Sequence, residues 1–237
     1  MTQSQLAPTD LLRERLQNDI DRGIVITDGS EIPVYTSDVY GKGIPPALVV
    51  RPTELHQVSA IVNIATSMGF AITQRGGGMS YTGGYLPTQT HTVMLDLSAL
   101  NRIVSINEDD LVITVEAGVT WQQIWEALTP RGLRLPFFGT FSGSRATVGG
   151  GLSNGALFMG TARYGSAADI VVGMEVDKSG RDPTVLRIEH CLRGASYIGL
   201  NLDYLTIPNP NISFHAWVVQ AKRNSLKVGS TNLSIAR

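Results

Sequence analysis

Between Gln74 and Tyr85 the chain reads QRGGGMSYTGGY, one arginine and five glycines placed directly after the strand-like run of residues 69–73. Consecutive glycines can take positive φ and turn several N–H groups toward one point, which makes a concave anion site without any side chain. Arg75 adds a fixed charge beside it. The chemistry expected there is retention of a phosphate-bearing cofactor. Three glycines also suit a surface turn, so the surrounding elements must decide between the two.

A second glycine-rich stretch follows from Pro136 to Gly165, PFFGTFSGSRATVGGGLSNGALFMGTARYG, with eight glycines. Its GGGLSNG core fails the dinucleotide fingerprint, because Asn154 stands where the last glycine belongs, and neither stretch carries the Lys-Ser or Lys-Thr of a phosphate loop for nucleotide hydrolysis. Ser142 and Ser144 lack the G-x-S-x-G context of an activated serine. His56 and His91 are isolated and receive no role. Cys191 is the only cysteine, so there is no internal disulfide, and no Cys/His cluster implies a metal. Two glycine segments, each behind a small α/β unit, suggest convergence on a long ligand with a pyrophosphate, a description that FAD fits.

The elements that would position these segments follow from apolar spacing. Residues 9–22 read as an amphipathic helix capped by Thr9 or Asp10, with Leu12, Leu16 and Ile20 on one face. The run ALVVR at 47–51, helical spacing over 54–68 and a strand at 70–73 form a βαβ unit that delivers the chain into the first glycine loop. Strands over 92–97, 102–107 and 111–116 suggest a mixed or antiparallel sheet. Thr120 caps a helix through Trp121, Ile124, Trp125 and Leu128. The segment 136–165 shows no helical period, 168–176 reads as a buried strand, and Asp177–Gly180 as its turn.

The 237 residues carry a formal charge of −1, which gives no general pull toward nucleic acid or anionic membrane. No run suits a secretory signal or a membrane span, so the expected location is cytoplasmic. Residues 1–180 hold 12 Lys or Arg against 17 Asp or Glu, whereas 181–237 hold 7 against 3. The expected division is therefore a helical lead-in over 1–39, a cofactor-binding domain over 40–180 and an unassigned, aberrant tail over 181–237.

Four segments in order, PPALVVRPTELHQVSAIVNIA, RGGGMSYTGG, LVITVEAGVTWQQIWEAL and ATVGGGLSNGALFMGTARYGSAADIVVGMEV, resemble the PCMH-type FAD-binding domain of the vanillyl-alcohol-oxidase family. Cytokinin dehydrogenase and the berberine-bridge-type enzymes share that domain. The resemblance implies an α+β fold of two α/β subdomains with FAD between them, and an oxidoreductase that passes hydride from a small organic substrate to the flavin. The cofactor-binding residues it implies are Arg75, Gly76, Gly77, Gly78, Met79, Ser80 and Gly84 in the first segment, then Thr147, Gly149, Gly150, Ser153, Asn154 and Gly155 in the second. Relatives that bond flavin covalently carry histidine where this chain has Met79, so non-covalent FAD is expected. Arg163 is read as a partly buried residue that ties down a loop. Members usually have a substrate-covering domain, which is not recognisable after Gly180, so no catalytic residue is named and a truncated or frame-shifted product is expected. The alternatives are a non-catalytic flavin-binding remnant, or a flavin subunit that needs a protein partner for its substrate site; self-association is a further expectation.

Overall fold

The computed structural model describes residues 7–20, 23–39, 41–135, 143–176, 184–186 and 219–222. The expected Asp177–Gly180 turn, Ser142 and Cys191 lie outside the described residues, as does most of the tail.

The chain opens with α1 (Pro8–Asp19), whose cap is Ala7 rather than Thr9 or Asp10. Proline at the first helical position has no N–H to leave unsatisfied and its φ already suits a helix, so no side-chain cap is required. Leu12 and Leu16 are fully buried. β1 (Leu48–Val50), α2 (Leu55–Ser67) and β2 (Ala71–Arg75) make the expected βαβ unit. α2 starts with a capping box in which the side chains of Glu54 and Gln57 bond reciprocally to the first-turn backbone.

β3 (Thr92–Asp96) departs from the expected mixed or antiparallel grouping. It lies between β1 and β2 and runs parallel to both, with Val93 opposite Leu48 and Ile72. All five of its residues are buried, as a central parallel strand covered on both faces requires. Alternation along the strands explains what covers each face. Leu48, Val50, Val93 and Leu95 meet α1 and α2 residues in one core. Val49 and Met94 point the other way and pack against Tyr35 from the lead-in and Tyr85 from the glycine loop.

β4 (Ile103–Asn107) and β5 (Val112–Val115) form the anticipated antiparallel pair. α3 (Trp121–Leu128) is capped by Thr120 and Gln123, and buries Trp121, Ile124 and Leu128 but leaves Trp125 51 % exposed. The second glycine-rich stretch holds two short helices that its composition hid, α4 (Val148–Ser153) and α5 (Thr161–Tyr164). A 3-10 turn at Ala167–Ile170 leads into β6 (Val171–Val176), which is shorter than the strand expected from 168. The tail adds β7 (Thr184–Leu186) and β8 (Val219–Lys222). β8 is antiparallel to both β5 and β6, giving the order β4-β5-β8-β6-β7. The tail thus supplies an interior strand, a role invisible from its scattered apolar residues. The core of this second subdomain joins Ile113 and Val115 to Trp121, Ile124, Leu152 and Phe158.

Because Leu16 is fully buried against the first sheet, Leu16→Ala should lower stability by about 2–5 kcal/mol. Urea denaturation followed by far-ultraviolet circular dichroism measures it; no change would detach α1 from the core.

Candidate functional site

The two glycine segments meet. A Cβ on Gly77 would collide with the backbone carbonyl of Arg145, so only glycine lets the first loop lie against the chain entering α4. Gly78 is the one member of the triplet with positive φ, at 68°, and a Cβ there would run into the Arg75 guanidinium. The triplet therefore serves close approach more than the repeated positive φ expected from its composition. A cavity of about 690 Å³ opens beside this junction.

Its walls hold Arg75, Gly76, Gly77, Gly78, Met79, Ser80 and Gly84 from the first loop. From the second segment come Thr147, Gly149, Gly150, Ser153 and Asn154. Gly155 is not among the lining residues; it takes a left-handed φ of 58° just after α4. Among the contributors that went unforeseen are Tyr85, Leu97, Ala117, Trp121 and Phe158. Trp121 and Phe158 meet edge to face with centroids 4.9 Å apart, which fixes an aromatic wall. In the sequence Trp121 reads only as a helix residue, and Phe158 lies unmarked within the second glycine-rich stretch.

The two segments offer different chemistry. In α4 the amides of Val148 and Gly149 donate to the carbonyls of Val119 and Ala117, and that of Gly150 to Thr147 Oγ1. That helix start is already satisfied. In the first loop, the amides of Gly77, Gly78, Met79 and Ser80 have no acceptor among the described residues. Unpaired backbone donors beside a cavity need a ligand or water, and a row of them favours an anion. Arg75 lies next to them, only 8 % exposed. Its Nε has no hydrogen-bond partner, and no carboxylate among the described residues stands within ion-pair distance. The donors, the buried cation and the aromatic wall fit a cofactor that combines a pyrophosphate with flat rings.

Behind Arg75 sits a network anchored on Asp96, which is 1 % exposed. Tyr35 donates to Asp96 Oδ2 at 2.6 Å, Arg51 Nε donates to the same oxygen at 2.9 Å, and the Ser98 amide reaches Oδ1 at 3.0 Å. Arg51 also pairs with Glu31 at 2.9 Å. Burial pushes the Asp96 carboxyl up, but the bonds from Tyr35, Ser98 and Arg51 outweigh it and hold the group below the usual carboxylate range. Burial, reinforced by Asp96, pushes the Tyr35 hydroxyl up to about 12.

The remaining candidates stay apart from the cavity. His56 is exposed on α2, and His91 rests against Phe70 at 5.4 Å. Ser144 lines a neighbouring cavity of about 610 Å³. Arg163 is exposed, with its guanidinium 5.3 Å from the Tyr164 ring centroid, so it is not the partly buried tie that was expected. Among the described residues no group of three or more His, Cys, Asp or Glu is placed to hold a metal, and no helix is long and apolar enough to cross a membrane.

Comparison with known proteins accords with this geometry. The family described as "FAD binding domain" matches residues 46–181, and the chain belongs to that family. A mitochondrial D-lactate dehydrogenase (cytochrome) of Kluyveromyces lactis is 29 % identical over 201 residues, covering 83 % of this chain and 34 % of that protein. A glycolate oxidase subunit of Bacillus subtilis is 30 % identical over 159 residues, covering 67 % of this chain and 32 % of that protein. The chain thus spans about a third of the length of these curated relatives. Among solved structures, an alkyldihydroxyacetonephosphate synthase superposes with a TM-score of 0.74 at 17 % identity, over 97 % of this chain and 42 % of that one. p-Cresol methylhydroxylase gives 0.72 at 18 %, over 92 % and 44 %. The fold is the PCMH-type FAD-binding fold, and FAD is the cofactor of the family.

The Asp96 carboxyl is depressed by folding, so its contribution is present above the unfolded value of about 3.9 and is lost as pH falls through its lower folded value. Urea unfolding between pH 7 and pH 3 should show stability falling below about pH 4, and Asp96→Asn should flatten that part of the profile. An unchanged slope in the variant would contradict the depressed carboxyl.

Proposed function

We propose that this chain is the flavin-holding part of an FAD-dependent oxidoreductase that takes hydride from a small organic substrate. The observation that carries the reading is the row of open amides at Gly77–Ser80 beside the buried Arg75, on the wall of a cavity that also has an aromatic side. The four amides would hold the pyrophosphate, and Arg75 would balance its charge. Ala117, Trp121 and Phe158 would exclude water from the rings, while the satisfied backbone of α4 keeps the opposite wall rigid. When bound, FAD supplies a two-electron acceptor for the hydride. Relatives are named for D-lactate, glycolate and D-2-hydroxyglutarate, and a small hydroxy acid is the substrate class proposed for this chain.

Met79 lines the cavity in place of the histidine of covalently flavinylated relatives. A thioether packs well against a flat ring but does not form the imidazole linkage, so FAD is held here without a covalent bond.

A second reading gives the chain FAD alone and assigns the substrate site to additional protein. It is favoured by exposed apolar residues near the cavity: Tyr81 at 56 %, Leu157 at 70 % and Met159 at 60 %. Bleaching of the flavin spectrum by D-lactate or glycolate in the isolated chain separates the two.

An absorbance spectrum before and after acid precipitation tests the cofactor. Flavin should pass into the supernatant; flavin retained in the pellet would overturn non-covalent binding, and none even after reconstitution would overturn the reading itself. Gly77→Ala, which forces the loop away from Arg145, should weaken FAD binding by about tenfold or more, as loss of at least one charge-assisted hydrogen bond would. Fluorescence titration with FAD measures it.

A further inference from the structure

Residues 31–43 precede the region matched to the family, yet three of their contacts end on the glycine loop. The Tyr35 ring lies 5.1 Å from Arg75 Cζ, and the Tyr85 ring 5.4 Å from it. Asp38 Oδ2 accepts from the Gly83 amide at 2.7 Å. The Tyr85 hydroxyl donates to the Ser37 carbonyl at 2.9 Å and lies 3.3 Å from that of Gly78.

The anchors of these contacts are themselves fixed. Asp38 Oδ1 accepts from Gly41 N at 2.7 Å, which sets its rotamer. The Tyr35 hydroxyl donates to Asp96 and accepts from Arg51 at 2.6 Å. With Oδ2 of Asp96 taken by Tyr35 and Arg51, and Oδ1 by Ser98, this buried carboxylate has a partner on each oxygen. Arg75 has two tyrosine rings and the Gly76 carbonyl beside it, neighbours that steady a guanidinium without neutralising it. A buried cation kept away from carboxylates retains its full demand for an anion in the adjoining cavity.

We propose that Tyr35 and Asp38 are positioning residues of the cofactor site. Tyr35 holds Arg75 at the cavity wall and apart from Asp96. Asp38 sets the loop so that the amides of Gly77–Ser80 stay open to the pyrophosphate of FAD. The assignment rests on the FAD reading above and extends the site into the lead-in.

The test compares Tyr35→Phe, Tyr35→Leu and Asp38→Ala with the unaltered chain and with His56→Ala, an exposed control on α2. Two readouts are taken: FAD affinity by fluorescence titration, and hydrogen exchange of peptides spanning residues 76–86 in FAD-free protein. Asp38→Ala should speed exchange in 76–86 and weaken FAD about tenfold, the size of one charge-assisted hydrogen bond. Tyr35→Leu should weaken FAD to a similar extent, while Tyr35→Phe, which keeps the ring beside Arg75 and leaves Asp96 bonded to Arg51 and Ser98, should stay within about threefold of the unaltered chain. His56→Ala should change neither readout. Equal FAD affinity in all variants would overturn the proposal, and so would Tyr35→Phe binding as weakly as Tyr35→Leu, because the ring would then be irrelevant. If Tyr35→Leu does not fold, Asp38→Ala decides by itself. Failure of the unaltered chain to bind FAD would overturn the flavin reading instead, and unchanged exchange in Asp38→Ala would still remove Asp38 from the loop.

Discussion

A carboxylate sealed at the end of a central parallel strand has to be satisfied by protein, because water cannot reach it. Asp96 is in that position, and the groups that satisfy it come from three parts of the chain: Tyr35 in the lead-in, Arg51 just after β1, and Ser98 in the turn beyond β3. The requirement draws the lead-in across the second face of the sheet. Once Tyr35 is there, Val49 and Met94 are covered, and β3 becomes buried on both faces. The glycine loop then leaves β2 over a surface already shaped by that tyrosine.

The division of labour between cations follows from the same saturation. Arg51 takes both Asp96 and Glu31, and each bond within the network strengthens the others in a medium of low dielectric. Arg75, one strand away, has the Tyr35 and Tyr85 rings and the Gly76 carbonyl as neighbours, none of them charged. A fold that neutralised both arginines would gain an ion pair and lose the cation that the proposed cofactor site relies on. The two glycine segments then differ in kind, one presenting open donors and the other a closed backbone whose amides are spent on Val119 and Ala117. A dinucleotide would meet an attractive wall on one side and a rigid one on the other.

Much of this was legible in the sequence where local chemistry decides. The Thr120 cap and the βαβ unit follow from residue type and spacing, and glycine content marked the first loop as a ligand segment. Partner choice was not legible. β3 was grouped with the strands after it, because strand propensity says nothing about which sheet a strand joins, and only the topology places it between β1 and β2. α4 escaped because glycine disfavours helix, and its turn is held instead by the Thr147 cap and the bonds to Val119 and Ala117. Tyr35 and Asp38 escaped because their partners lie far along the chain, at Asp96 and Gly83.

The strand orders carry a consequence for how the molecule assembles during synthesis. Among the described residues the three strands of the parallel sheet lie within residues 48–96, whereas the antiparallel sheet has β8, at residues 219–222, as its middle strand. Contacts of long sequence separation form late, since the intervening loop must be closed first. As the chain leaves the ribosome, the half carrying the open amides can therefore fold while β5 and β6 still wait for the strand that joins them. During that interval their facing edges are exposed to pairing with other chains, which makes the second subdomain the more vulnerable to misassembly.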